Sequence, residues 1–204
     1  IHQNNKFIGH VFAGKYLDCG TMQGYISASK EISKLYKYPK IVMDIKSSNV
    51  FFEEVKKFGC EPIMFRTGHS PIKEKMKELK SPLSGEMSGH VCYADDFFGY
   101  DDAMYVALRL LRILSNENIS LNELIEEYPK TIATPETRVD VEEKRKFEII
   151  DEIKYRLKDI KGEVIDTDGI RVENDIGWFL IRASNTQNQL TCRAEALNKE
   201  NLSN

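Results

Sequence analysis

Ile41-Val42-Met43-Asp44-Ile45 is a short, nearly continuous apolar run, and the fold turns on how it is read. A strand covered on both faces shows no apolar/polar alternation, because neither set of side chains meets water; this run therefore predicts a buried parallel strand. Working outward, Phe51, Val55 and Phe58 follow at helical spacing, and Gly59 is placed to end that helix. Ile63-Met64-Phe65 is the next strand. The unit is a β-α-β crossover, in which ligands gather at the carboxyl ends of the strands. Lys46 sits at one such end and His69 just beyond the other. Ser70 is expected to cap a helix with Pro71 at its first position.

Further along, Gly85-Glu86-Met87-Ser88-Gly89-His90 leads into a strand through Val91-Cys92-Tyr93. A carboxylate accepts from neighbouring hydroxyls as a vicinal diol presents them, and a serine hydroxyl both donates and accepts. The flanking glycines let backbone approach a ligand closely. The chemistry suits recognition of a polyol; taken as six isolated residues, a polar surface turn is the commoner reading. Asp101 and Asp102 precede a long helix with Ala103, Ala107, Leu110, Leu111 and Leu114 on one face, and helix capping explains that carboxylate pair.

After residue 130 the pattern changes. Thr131-Ile132-Ala133-Thr134-Pro135-Glu136 reads as a linker. A strand at Arg138 to Val141 and an amphipathic helix using Phe147, Ile150, Ile153 and Leu157 follow. Asp166-Thr167-Asp168-Gly169 mimics a metal loop, yet Asp-Gly between two short apolar strands is first a hairpin turn. Trp178 to Ile181 is a buried strand. Leu190, Cys192, Ala194 and Ala196 alternate with Thr191, Arg193 and Glu195, which predicts a half-exposed strand. Between these two strands lies Arg182-Ala183-Ser184-Asn185-Thr186-Gln187. A guanidinium binds phosphate bidentately, and successive N–H groups in a tight turn form an anion nest. The expected architecture is α/β then α+β: a mixed sheet with helices, then a small antiparallel sheet with helices on one face.

The 204 residues are 41% hydrophobic and 30% charged, with a net charge of −3. That balance gives no electrostatic case for nucleic acid or an anionic membrane. No apolar run approaches a membrane span and no signal peptide is visible. Cys19, Cys60, Cys92 and Cys192 lack paired metal-ligand spacing and read as free thiols of the cytoplasm. No metal site is expected within the chain.

The loop from Gly85 to His90 resembles the sugar-recognition loop of the alpha-D-phosphohexomutases, in the Glu-Met-Ser version of the bacterial phosphomannomutase/phosphoglucomutase branch. Thr67-Gly68-His69-Ser70, Phe97-Phe98-Gly99-Tyr100-Asp101-Asp102, Thr134-Pro135-Glu136 and Arg182-Ala183-Ser184-Asn185-Thr186 follow in the family's order. These motifs span the back half of such an enzyme. The resemblance implies that Glu86, Ser88 and His90 read the sugar, that Lys46, Arg182, Ser184, Asn185 and Thr186 hold its phosphate, and that His69 serves as an acid or base near the transferred phosphoryl group. It implies glucose or mannose 1- and 6-phosphates as ligands, Mg2+ as the complete enzyme's metal, and a last domain that swings about Thr134-Pro135.

Lys15-Tyr16-Leu17-Asp18-Cys19-Gly20-Thr21-Met22-Gln23-Gly24-Tyr25 and the helix after it resemble instead the C-terminal end of UTP–glucose-1-phosphate uridylyltransferases, with Met22 where that family usually has lysine. The expected units are therefore 1–38, a uridylyltransferase-like fragment; 39–130, an α/β sugar-recognition domain lacking its first strand and helix; and 131–204, a phosphate-binding domain. The mutase serine-histidine-asparagine-proline loop and its aspartate-rich magnesium loop occur nowhere in the 204 residues. The chain alone is expected to be inactive as a mutase. Three readings follow: a mutase half completed by the missing serine and magnesium domains, a non-catalytic sugar-phosphate binder, or the remnant of a uridylyltransferase–mutase gene fusion.

Overall fold

The structure is a computed structural model that describes residues 22–203. Helix α1 (Met22–Ser33) comes first, then β1 (Lys40–Asp44), α2 (Asn49–Lys57), β2 (Glu61–Phe65), α3 (His69–Leu79), β3 (Leu83–Gly85), β4 (Val91–Tyr93), α4 (Ala103–Glu117) and α5 (Leu121–Glu126). The sheet runs β2-β1-β3-β4. Strand β1 is parallel to both β2 and β3, and β4 closes the sheet antiparallel to β3. The mixed α/β layer expected from Ile41–Ile45 is present. Ile41 and Val42 are fully buried, so the apolar run is continuous because both faces of β1 are covered.

Helix α2 ends as its sequence dictates. Gly59 takes φ +75°, and the Cys60 N–H reaches back to Val55 O at 3.3 Å, so the last carbonyls of the helix are satisfied. Helix α3 starts two residues earlier than expected. Gly68 caps it without a side-chain bond, and Ser70 lies inside its first turn. The cap is a glycine because φ there is +128°, which a serine would adopt only with strain.

Helix α4 turns a different face inward from the one its leucines suggest. Val106, Arg109, Leu110 and Ile113 are buried, while Leu111 is exposed. Arg109 holds Asp95 through two bonds of 2.6 and 2.8 Å, and its guanidinium lies 4.2 Å above the Tyr93 ring. That buried pair, backed by Glu31 of α1 at 3.3 Å, sets the rotation of the helix.

Helix α1 corrects the expected domain boundary. Ile26, Ala28 and Ile32 are fully buried in the same cluster as Phe51, Leu83 and Leu110. Ser27 Oγ shares a hydrogen bond with the Tyr128 hydroxyl at 3.0 Å, and Arg112 pairs with Glu31 at 2.8 Å. A helix with this many core partners is part of the α/β unit, so that unit's first helix is not missing and does not belong to a separate fragment. The rest of the uridylyltransferase resemblance, through Thr21, lies outside the described residues.

The second unit comprises β5 (Ile132–Ala133), β6 (Thr137–Asp140), α6 (Arg145–Arg156), β7 (Glu163–Ile165), β8 (Ile170–Asn174), β9 (Gly177–Ala183), β10 (Gln189–Ala196) and α7 (Lys199–Ser203). Its antiparallel sheet runs β5-β10-β9-β8-β7, with β6 also paired to β10. The stretch read as a linker is partly sewn into this sheet: Thr134 exchanges hydrogen bonds with Ala194 at 2.9 and 3.0 Å.

The polar positions of β10 are not a solvated face. Thr191 and Glu195 are buried, because that face of the sheet lies against the α/β unit. There Trp178 and Leu180 pack with Ile45. Arg171, fully buried, donates to the carbonyls of Ile45 and Ser47 and lies 3.8 Å over the Trp178 ring. Ser48, the N-cap of α2, gives its O–H to Glu195 at 2.6 Å. In α6 the expected apolar face is only half covered: Phe147 is exposed and Lys146 is the helix's buried residue.

Candidate functional site

Strands β1, β2 and β3 run the same way, so their carboxyl ends share one rim. That rim carries Lys46, His69 and Glu86. The Glu86 loop is the β3–β4 hairpin, closed by Glu86 N–H to His90 O at 2.9 Å and Gly89 N–H to Glu86 O at 3.0 Å, with Gly89 at φ +93°. Glu86 is buried and accepts from the Gly68 N–H at 2.8 Å through Oε1. Among the described residues nothing donates to its other oxygen. Ser88 and His90 are exposed beside it. His90 Nδ1 is 2.6 Å from Asp101 Oδ2, and the His69 ring centre lies 6.1 Å from that of His90. Asp102, the other half of the acidic pair, caps α4 as expected, accepting from Tyr105 N–H at 3.0 Å.

Asp44 supports the loop from below. Its Oδ1 accepts from Ser47 and from the Met87 N–H at 3.1 Å, while Oδ2 is buried with no partner. Burial drives its pKa above the usual carboxylate value; the Ser47 bond and the charge of Lys46 oppose the shift. Lys46, expected to hold the phosphate, pairs with Glu136 at 3.5 Å across the unit boundary.

The second half of the site lies at the β9–β10 turn. Arg182 is buried, and Asp168 fixes its guanidinium through Nε at 3.0 Å and Nη2 at 3.3 Å. Asp168 Oδ2 also accepts from Thr67 N–H of the α/β unit at 2.9 Å. A short path therefore runs from Arg182 through Asp168 to the Thr67-Gly68 backbone, and from Gly68 N–H to Glu86. That path links the two clusters singled out in the sequence. Ser184 Oγ accepts from Thr186 N–H at 3.4 Å and Gln187 N–H at 3.1 Å, which leaves its own O–H available as a donor. Asn185 and Thr186 are exposed.

Sequence reasoning missed Asp44, Asp168, Lys146, Arg171 and Glu195. Asp168 was read as half of a hairpin turn, and it does sit in the β7–β8 turn. Its signal was the pairing of a turn carboxylate with a strand-end arginine, which register alone would have exposed. Among the described residues, no group of three or more His, Cys, Asp and Glu gathers to hold a metal ion. Cys60 and Cys92 are buried free thiols, both pushed up to about 11 by burial. No helix among the described residues is long and apolar enough to cross a membrane.

The carboxyl-end rim of a mixed α/β sheet, tied through Asp168 to a turn of an antiparallel sheet, defines a two-unit protein of α/β then α+β class. The alpha/beta/alpha domain III model of phosphoglucomutase/phosphomannomutase matches residues 21–132, and the C-terminal domain model of the same family matches 136–204. The chain belongs to the phosphoglucomutase/phosphomannomutase family. A phosphomannomutase/phosphoglucomutase of Pseudomonas aeruginosa is 41% identical over 162 residues, covering 79% of this chain and 35% of the relative. A phosphoglucomutase of Neisseria gonorrhoeae is 39% identical over 160 residues, covering 77% and 34%. A phosphomannomutase of Methanocaldococcus jannaschii is 33% identical over 207 residues, covering 96% and 45%. The solved structure of a family member from Burkholderia thailandensis superposes with a TM-score of 0.82 at 33% identity, over 89% of this chain and 38% of that one. The chain thus spans between about a third and a half of these relatives' lengths. The domain III match begins at residue 21, so it takes in α1, in agreement with that helix's place in the core.

Proposed function

We propose that this chain supplies the sugar- and phosphate-recognition half of a phosphohexomutase that interconverts hexose 1- and 6-phosphates in the cytoplasm. Glu86 and Ser88 read adjacent ring hydroxyls, with His90 beside them. Arg182, Ser184, Asn185 and Thr186 grip the phosphate that is not being transferred. Lys46 exchanges Glu136 for phosphate when ligand enters, and His69 moves a proton near the transferred group. The observation that carries this reading is the hydrogen-bonded path from Arg182 through Asp168 to the Thr67 N–H, next to the Gly68 N–H that holds Glu86. It ties the turn that carries Arg182 to the loop that carries Glu86, which supports a joint role for the two.

Phosphoryl transfer needs a nucleophile and a cation to spread the transferred charge. In this reading both belong to the serine and magnesium domains of a complete mutase, and the 204 residues bind without turning over. Calorimetry with glucose 1-phosphate tests it. Binding by the wild-type chain that Arg182→Ala weakens by about tenfold or more is expected, since a charge-assisted bidentate contact is worth about 1.5–3 kcal/mol. Equal heats for both proteins would sink the reading. Mutase activity on adding the serine and magnesium domains would extend it to catalysis.

A further inference from the structure

Lys146 is the anomaly of the C-terminal unit. It is a lysine 3% exposed on a helix whose aromatic neighbour Phe147 is 56% exposed. Burying an ammonium instead of a phenyl ring costs free energy unless its protons are all used. Its charge is matched: Nζ donates to Ser184 O at 2.9 Å and to Gln187 O at 3.4 Å, and it forms an ion pair with Glu143 Oε2 at 2.8 Å. Two of the three acceptors are main-chain carbonyls of the Arg182–Gln187 turn.

The geometry of the peptide bond then fixes the rest. There is no cis peptide among the described residues, and in a trans peptide the C=O and the next N–H point in opposite directions. Drawing Ser184 O and Gln187 O inward to Lys146 turns the N–H groups of Asn185 and Asn188 outward. Neither N–H finds an acceptor among the described residues. Thr186 and Gln187 N–H are already committed to Ser184 Oγ. The amides on the side away from Lys146 are therefore those of Asn185 and Asn188, with a cation behind them. Unpaired backbone N–H groups with a cation behind them favour an anion on that side of the turn.

We infer that Lys146 is the positioning residue of the phosphate grip. It acts through the backbone: it holds two carbonyls away from the ligand, aims two amides at it, and places a positive charge under the turn. Glu143, in direct contact with Nζ but largely exposed, offsets part of that charge. The inference rests on the proposed binding of a sugar phosphate at this turn and adds to it a residue that never touches the ligand.

The test uses the 204-residue chain with Lys146→Met, Lys146→Gln, Lys146→Arg and Arg182→Ala, glucose 1-phosphate as the probe, and amide spectra of each free protein. Lys146→Met is expected to shift the Asn185 and Asn188 amide resonances before ligand is added and to weaken binding by about tenfold. Lys146→Arg is expected to restore both, and Lys146→Gln to restore the amide positions without the full affinity. If Lys146→Met does not fold, the Gln and Arg pair still separates the donor from the charge. Lys146 variants that bind like wild type while Arg182→Ala does not would overturn this inference alone. No binding by wild type would overturn it together with the reading beneath it.

Discussion

At the scale of single residues, Asp44 shows how a site can be built on an unfavourable group. Its carboxyl is fully buried, one oxygen has no partner, and its pKa stands above the ordinary 3.8 because burial disfavours the charge. What it provides is a fixed acceptor for Met87 N–H, which holds the Glu86 loop. A carboxyl with a raised folded-state pKa binds its proton more tightly in the folded chain. The stability it adds is complete below about pH 3.8 and is lost as pH rises through the raised value. Asp44→Asn removes that loss. Urea midpoints of the two proteins, compared across this window, should show wild type losing ground to Asp44→Asn as pH rises. A difference that stayed flat, or moved the other way, would mean the burial cost is not borne by this carboxyl.

At the scale of elements, the β7–β8 hairpin carries more than its sequence announced. Gly169 takes φ +85°, and a Cβ there would stand 2.4 Å from Ile181 O and 2.5 Å from Arg182 Cβ. The turn must therefore press directly on the strand that presents Arg182. Gly169→Ala should cost about 2 kcal/mol or more, from left-handed backbone strain and overpacking together. Because the clash falls on Arg182, binding of glucose 1-phosphate should weaken beyond what lost stability explains. Measuring affinity well below the melting range separates the two; wild-type affinity there would show that Arg182 is not displaced. The hairpin itself was legible, since Asp-Gly between short apolar runs leaves few alternatives. So were β1, α2, β2 and the Gly59 stop, each set by local pattern. The start of α3 was not, because its cap depends on Gly68 giving its N–H to Glu86, eighteen residues away in sequence. The inward face of α4 was hidden for the same kind of reason: Arg109 is buried by Asp95 and Glu31, and a count of leucines cannot see a salt bridge.

At the scale of the whole molecule, the alternation along β10 was read correctly as a pattern and wrongly as an environment. Thr191 and Glu195 lie on a polar face, but that face meets a second unit instead of water. A chain read element by element carries no signal for a polar interface, since its partners lie more than a hundred residues apart. Arg171 is the centre of that interface. It is fully buried, donates to Ile45 O, Ser47 O and Asn49, pairs with Glu173 at 2.6 Å and covers Trp178. Desolvation lowers its pKa, with Glu173 opposing. Removing one member of such a buried network leaves acceptors unpaired and costs about 3 kcal/mol or more. Arg171→Ala should therefore loosen the two units from each other before it unfolds either. Trp178, the chain's single tryptophan, sits at the boundary and reports on it. In wild type, urea transitions followed by tryptophan fluorescence and by far-ultraviolet circular dichroism should coincide. In Arg171→Ala the fluorescence transition should move to lower urea, ahead of the loss of secondary structure. Coincident transitions at the wild-type midpoint would show that the interface is held by the apolar contacts of Ile45, Trp178 and Leu180, with the guanidinium adding nothing.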